Sequence, residues 1–276
     1  MTNSDVIHRS IADADDLEEI KDEAISVGDV FRSLARHPAQ IISRWNWKSA
    51  LLGAILRASF YFTVYKASKE SWIVTFTAVL VELSFRFFTS GISGAIVQSF
   101  RRAEPRWLAT TFVTITLPVF SHTVEYLAHY SQEQFFSNVF AASENNARQK
   151  AFVYSVMFSV LSALFNLFVM QHGVLLVGAG QETKSLGNDL KRIPFLIVEF
   201  VTYLPIKILA FISARNFPAA ISIFSAFGLT VGTLLGVVRG KWSWAWTTAL
   251  GAWAILFVMT IIVAVGLRII EPRVKN

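Results

Sequence analysis

The chain has 276 residues, of which 54% are hydrophobic and only 16% are charged, whereas a soluble domain carries roughly 25% charged residues. With a mean hydropathy of +0.49, this composition excludes a disordered chain, a coiled coil and a nucleic-acid-binding domain. It argues against an ordinary soluble enzyme and indicates an integral membrane protein. The chain has no cysteine, which excludes disulfides, thiolate metal sites and a cysteine nucleophile.

Charge is distributed unevenly along the chain. Residues 1–30 hold nine acidic and two basic residues, a net charge of −7, and the remaining 246 residues hold 23 bases and 10 acids, a net charge of +13. The bases lie mostly at the ends of apolar segments, where they contact phospholipid headgroups or orient the protein. Membrane lipids are therefore the expected partners, and nucleic acid is not.

We divide the chain into two predicted regions. Residues 1–44 are an acidic cytoplasmic tail with a juxtamembrane segment, in which Val30, Phe31 and Leu34 are expected to form an amphipathic turn on the membrane surface. Residues 45–276 are the transmembrane helical domain. The predicted fold class is all-α, a polytopic transmembrane helical bundle with a short polar N-terminal tail.

Seven apolar segments follow the tail, with lengths typical of membrane-spanning helices. They are predicted at 49–65, 72–100, 107–129, 151–178, 193–213, 218–238 and 244–267. Gly178 and Gly180 are expected to end the fourth segment, because glycine tolerates the left-handed helix cap. The fifth segment carries Glu199, Pro205 and Lys207, so it is a full span, a broken helix or a surface helix. The prediction is therefore six or seven spans.

Basic loops set the expected orientation. Bases precede the first segment, follow the second at 101–106 and follow the fourth at 191–192. By the positive-inside rule the N-terminus is cytoplasmic and the loop 130–150 lies on the far side. The rule does not decide the side of the C-terminus. The expected location is the cell (inner) membrane.

Several ionisable side chains fall inside these segments. Placing each of them in a membrane-spanning helix costs about 2.5–3.5 kcal/mol on an insertion scale, so each is expected to have a structural or functional role. Glu82 and Arg86 are four residues apart and are expected to pair on one helix face. The predicted intramembrane polar cluster consists of Arg57, Glu82, Arg86, His122, Glu125, Glu199 and Lys207. It is either a substrate site, an ion site or a proton path, or a buried network that holds helices together.

His122, Glu125 and His129 lie along one stripe of the third segment, since they are three and four residues apart. Two imidazoles and a carboxylate suit zinc, iron or manganese. Histidines seven residues apart are separated by about 10 Å along a helix, however, and cannot readily share one metal ion. A metal site here needs ligands from elsewhere. No cofactor and no catalytic residue is otherwise expected.

Gly228, Gly232 and Gly236 are spaced four residues apart on the sixth segment. Such a row forms a flat groove that another helix can approach closely, within the chain or in a second copy.

Three functions remain open on the sequence. The first is a small transporter, channel or lipid-handling protein that uses the polar cluster. The second is a structural or accessory subunit of a larger membrane complex, or a homo-oligomer. The third is an intramembrane hydrolase or metalloenzyme built on Glu82, His122 and Glu125.

Overall fold

The computed structural model describes residues 24–135, 147–178, 184–239 and 242–274, with only the backbone described for 128–129, 132–135, 147–155, 157, 237–239, 244 and 270–274. This part of the chain is almost entirely helical, as predicted. Its elements are β1 Ile25–Ser26, α1 Val27–Arg36, α2 Ala39–Ser43, α3 Trp47–Ala67, α4 Trp72–Phe100, β2 Ala103–Glu104, α5 Arg106–Phe135, α6 Ala147–Gln171, α7 Leu186–Ser213, α8 Phe217–Arg239 and α9 Trp242–Val274.

Within these ranges, five helices are long and apolar enough to cross a membrane. They are α4, the Arg106–Leu127 part of α5, α7, the Phe217–Gly236 part of α8 and the Ala245–Ile269 part of α9. About 20 apolar residues suffice to cross the hydrocarbon core. The five helices therefore fit a membrane protein in general. The chain divides into two compact units, residues 1–193 and 194–276, with the division inside α7.

In the first unit, α3 and α4 form a closely packed antiparallel pair joined by a four-residue turn, 68–71. Small residues allow this approach. Gly91 lies against the indole of Trp45, and a Cβ atom at Gly94 would lie only 2.6 Å from the Cβ of Ser49. Near the turn the pair is closed by a small core that includes Tyr61, Tyr65, Val74 and Ala78.

Helix α1 packs onto the first unit through its apolar face. Its first turn is capped by the hydroxyl of Ser26, which accepts a hydrogen bond from the backbone N–H of Gly28 at 3.2 Å. Val27 and Val30 are buried, and the ring of Phe31 packs edge-on against Phe100 and Phe112 at 5.1 and 4.6 Å. The strand β1 pairs in parallel with β2. The predicted amphipathic turn is thus a helix tied to the α4–α5 loop.

Helix α6 ends at Gln171, seven residues before Gly178, so the predicted end of the fourth segment is wrong. Gly173 has a φ of +69°, and its N–H donates to the carbonyl of Met170 while the N–H of Val174 donates to that of Val169. This is the Schellman pattern of helix termination, in which a glycine takes the left-handed conformation. The apolar residues 174–177 therefore lie outside the helix.

In the second unit, α7 is one continuous helix that contains both Pro194 and Pro205, so the broken-helix alternative for the fifth segment is wrong. Helices α8 and α9 form a tight pair through the predicted glycine row. Gly228 faces the ring of Trp253, while Gly232 and Gly236 face Ala245 and its neighbours on α9. The indole N–H of Trp253 donates to the carbonyl of Phe224 at 2.9 Å. The groove along the glycine row is therefore filled by α9 of the same chain.

Candidate functional site

Four helices of the first unit bring polar side chains to the middle of the bundle. Arg57 lies ten residues before the last residue of α3, Ala67, and Glu82 lies ten residues after the first residue of α4, Trp72, which is about 15 Å along each axis. Because the two helices run in opposite directions from the turn 68–71, Arg57 and Glu82 lie at the same height. The network comprises Arg57 and Tyr61 on α3, Glu82 and Arg86 on α4, Ser121, His122 and Glu125 on α5, and Ser159 on α6.

Arg86 is the centre of the network. Its Nε atom donates to the Oε1 atom of Glu82 at 2.7 Å, one terminal nitrogen donates to the hydroxyl of Ser121 at 2.5 Å, and the other donates to Oε2 of Glu125 at 2.5 Å. The planar guanidinium suits this role because it presents several donors in fixed directions. The i,i+4 spacing correctly predicts the pair between Glu82 and Arg86. Both carboxylates are fully buried, and Arg86 is 4% exposed.

Glu125 accepts hydrogen bonds from three helices. Tyr61 of α3 donates its hydroxyl to Oε1. Oε2 receives the bond from Arg86 of α4, and it also lies 2.9 Å from Nδ1 of His122 on its own helix. Each bond to a carboxylate is stronger than one between neutral groups, because the acceptor is charged. Glu125 therefore joins α3, α4 and α5.

Arg57 connects the fourth helix. Its guanidinium donates to the hydroxyl of Ser159 on α6, and it lies within electrostatic range of Glu82, Arg86 and Glu125. The network thus contains two guanidinium groups and two carboxylates, which balance when both acids are ionised. Attraction between opposite charges offsets the free energy that is lost when the charges are removed from water into a low-dielectric interior.

The structure unites five of the seven residues in the predicted polar cluster. Glu199 and Lys207 lie on the part of α7 that belongs to the second unit. Glu199 is partly buried, and Lys207 is exposed with its ammonium 5.5 Å from the ring centre of Tyr203. The network in the first unit instead includes Tyr61, Ser121 and Ser159, none of which was predicted from the sequence.

The metal hypothesis involves a side chain outside the described part of the chain, that of His129. Among the described residues, no group of three His, Cys, Asp or Glu side chains could hold a metal ion. His122 and Glu125 do lie together, and Nδ1 of His122 is engaged by the carboxylate of Glu125. A metal at these residues stays a prediction.

A second polar cluster lies where α3 begins and α4 ends, and it holds the non-helical segment 172–178. The side-chain amide of Asn46 donates to the carbonyl of Leu175 at 2.9 Å. Gln98 donates to the carbonyl of Val177 at 2.6 Å and accepts from the N–H of the same residue at 3.0 Å. Irregular backbone at membrane depth is tolerated only where such partners satisfy it. These side chains take the place of helical hydrogen bonds.

A buried ion pair completes this second cluster. The ammonium of Lys48 lies 2.7 Å from Oδ2 of Asp189, and both side chains are almost fully buried. The same Oδ2 atom accepts the N–H of Leu175 at 3.2 Å, and the ammonium also donates to the carbonyl of Lys184. Asp189 therefore joins the beginning of α7 to α3 and to the segment 172–178.

The residues of the second cluster were not predicted from the sequence because each lies at the end of an apolar segment. There Lys48 and Asp189 are indistinguishable from ordinary flanking charges, and Gln98 is one polar residue among the many that end a span. They are also up to 141 positions apart in the chain. The packing of α3 on α4 brings Asn46 beside Gln98, and the turn of the chain after Gln171 brings segment 172–178 and Asp189 to them.

The first network offers carboxylate, guanidinium, imidazole, phenol and hydroxyl groups in one buried chain of contacts. Such a chain can hold or pass a proton or a small ion, and it can also lock four helices together. Comparison of the chain with protein families, with curated protein sequences and with solved structures finds no match.

Proposed function

We propose that this protein is a polytopic integral membrane protein with six or seven spans, in which α3 and α6 join the five long apolar helices. Helix α3 has 21 residues, about 31 Å of helix, which is enough to cross the hydrocarbon core. Of its three charged residues, Lys48 and Arg57 are buried and Lys66, near the turn, is partly buried, while Leu56 and Phe62 are exposed. Two of its charges are thus enclosed by the bundle, which is where charged residues of membrane-spanning helices are typically found.

We propose further that the N-terminus is cytoplasmic and that the protein lies in the cell (inner) membrane. Contacts at one end of the first unit support the proposed orientation. The pairing of β1 with β2 places the juxtamembrane segment beside the basic loop 101–106. The ion pair of Lys48 with Asp189 places the beginning of α3 beside the beginning of α7, close to Lys191 and Arg192 in the chain. Three basic segments therefore share one end, which the positive-inside rule assigns to the cytoplasm.

Within this framework, we propose a small transporter, channel or lipid-handling protein whose working site is the network around Arg86. The observation that carries the proposal is the mid-bundle position of two carboxylates and two guanidinium groups contributed by three helices. Ionisable groups at such depth are costly, and in membrane proteins they typically mark the pathways of substrates, ions or protons.

A second candidate is a structural or accessory subunit of a larger membrane complex, or a homo-oligomer. It is favoured by the dense bonding of the network, in which Arg86 contacts three partners. It is also favoured by the exposed apolar side chains of α9, since Leu250, Ile255 and Phe257 are each more than half exposed. Lipid or the helices of partner subunits can cover such side chains.

The test is a flux measurement on the purified protein in lipid vesicles. Gradients of protons, Na⁺, K⁺ and Cl⁻ are followed with pH- and potential-sensitive dyes, and lipid transfer between leaflets is followed with a fluorescent phospholipid and an impermeant quencher. The variant is Glu82→Gln, which keeps the shape of the side chain but removes its charge. The matched control is Glu104→Gln, because Glu104 pairs with Arg106 on the surface and its side chain is 50% exposed.

We expect at least one probe to move in vesicles with the wild-type protein and with Glu104→Gln. Folded Glu82→Gln should lose at least tenfold of that rate. Full flux in folded Glu82→Gln would show that the network is not the working site. If no probe moves with the wild-type protein while Glu82→Gln folds poorly, the accessory subunit becomes the better proposal.

A further inference from the structure

We propose that the two buried acids have different roles, with Glu82 as the carboxylate that binds and releases a proton and Glu125 as a permanent anion. This deepens the proposed function and rests on it, because it names the ligand of the same network. The two acids share one arginine and equal burial, so the difference lies in the rest of their hydrogen bonding.

Glu125 has both oxygens engaged by donors. Tyr61 donates to Oε1, and Arg86 and His122 both contact Oε2. A proton added to either oxygen would compete with a donor already in place. Several hydrogen bonds to a carboxylate favour its ionised form. Glu125 is therefore held as an anion while the surrounding helices stay in place.

Glu82 is held on one side only. Its Oε1 atom accepts the bond from Arg86, whereas Oε2 is completely buried and has no hydrogen-bond partner among the described residues. A buried carboxylate oxygen without a donor bears the full cost of desolvation. A proton at Oε2 removes the charge and leaves the contact of Oε1 with Arg86 in place.

The charges around Glu82 are compatible with this exchange. Three helices contribute titratable or charged groups around Glu82. These are Arg57 and Tyr61 from α3, Arg86 from α4, which also carries Glu82, and Glu125 and His122 from α5. The fourth helix, α6, contributes the hydroxyl of Ser159, which does not titrate. Glu125 favours a proton on Glu82 by repulsion between like charges, and the two guanidinium groups oppose it. Reversible binding of a proton requires that neither influence dominates.

The ligand is better assigned as a proton than as a metal cation. A metal cation needs several oxygen ligands, whereas Oε2 is a single carboxylate oxygen with two guanidinium groups nearby. In the proposed step, Oε2 takes a proton from hydronium that enters from the aqueous phase, so an O–H bond forms, water is released and the network gains one positive charge. The reverse step restores the two ionised pairs.

Infrared spectroscopy of the protein in lipid vesicles tests the proposal, because a protonated carboxyl has a C=O stretching band that a carboxylate lacks. Spectra are recorded as the pH is lowered for the wild-type protein, Glu82→Gln, Glu82→Asp and the surface control Glu104→Gln. We expect a band from a carboxyl shielded from solvent in the wild type and in Glu104→Gln. Glu82→Gln should lose it, and Glu82→Asp should keep it with a shifted midpoint.

Retention of the band in folded Glu82→Gln, or its absence from the wild type, would overturn the assignment. If Glu82→Gln does not fold, Glu82→Asp decides, because an unchanged midpoint in that variant would also overturn it. Addition of Na⁺ provides a further check, since displacement of the band at constant pH would identify a metal cation as the ligand. Loss of the band in Glu82→Gln without any measurable flux would preserve the proton site but refute the transport function.

Discussion

The contact between α8 and α9 at Gly232 yields the most direct quantitative prediction. A Cβ atom at this position would collide with the backbone carbonyl oxygen of Ala245, and it would lie 2.8 Å from the Cβ and 3.2 Å from the backbone nitrogen of Ala249. Carbon atoms at their optimal separation are about 3.5–4.0 Å apart. Because two of the three obstacles are backbone atoms, no rotamer change can relieve the clash, and the helices must separate.

The magnitude follows from a comparison with a second glycine on the same helix pair. Overpacking of this kind costs about 1–3 kcal/mol, while the change from glycine to alanine inside a helix by itself contributes about 0.5–1 kcal/mol of stability. A Cβ atom at Gly251 on α9 would have no neighbouring atom within 4 Å, so Gly251→Ala has the second effect alone. Gly232→Ala should therefore be less stable than Gly251→Ala by about 1–3 kcal/mol.

The assay is equilibrium unfolding in mixed micelles followed by tryptophan fluorescence, because Trp253 lies in the same interface against Gly228. Gly232→Leu, which adds a larger side chain, should also lower the folded yield or change the oligomeric state. Equal stability of Gly232→Ala and Gly251→Ala would refute the packing argument. So would normal yield, size and thermal stability of Gly232→Leu.

Three further predictions concern the second polar cluster and the topology. Lys48→Met should destabilise the protein by about 3–5 kcal/mol, because it leaves the carboxylate of Asp189 unpaired. The double variant with Asp189→Asn should recover part of this loss in thermal unfolding. Equal stability of Lys48→Met and the wild type would contradict the ion pair. Gln98→Leu should cost about 1–3 kcal/mol for each backbone group that it leaves unsatisfied, and hydrogen exchange should rise in segment 172–178 but not in the α8–α9 pair. In the chain without native cysteine, Ala35→Cys should react with an impermeant thiol reagent only from the cytoplasmic side, whereas labelling of Ser143→Cys from that side alone would reject the proposed orientation.

Much of the helical architecture could be predicted from the sequence, because the length of an apolar run and the residues at its ends are local properties. The segment predicted at 72–100 coincides with α4, and the pair of Glu82 and Arg86 follows from helical spacing alone. The glycine row on α8 belongs to the same class, since glycines four residues apart are visible before their partner helix is known.

What could not be predicted depends on contacts between distant parts of the chain. Residues 174–177 are all apolar and continue the pattern of α6, so Gly173, the local signal for the end of the helix at Gln171, resembles a glycine inside a longer span. The end is stable because Asn46 and Gln98 supply hydrogen bonds that water would otherwise supply. Tyr61, one of the partners of Glu125, was missed for the same reason, since it is 64 positions away.

The order of these contacts along the chain has a consequence for biogenesis. Asn46 and Gln98, which bind the backbone of segment 172–178, precede it by up to 129 positions. A chain made from its N-terminus therefore completes the first helix pair before the ribosome releases the segment that this pair must receive. A defect in the α3–α4 pair should consequently be seen first as loss of structure in the residues after Gln171, which are made later and depend on this pair for their hydrogen bonds.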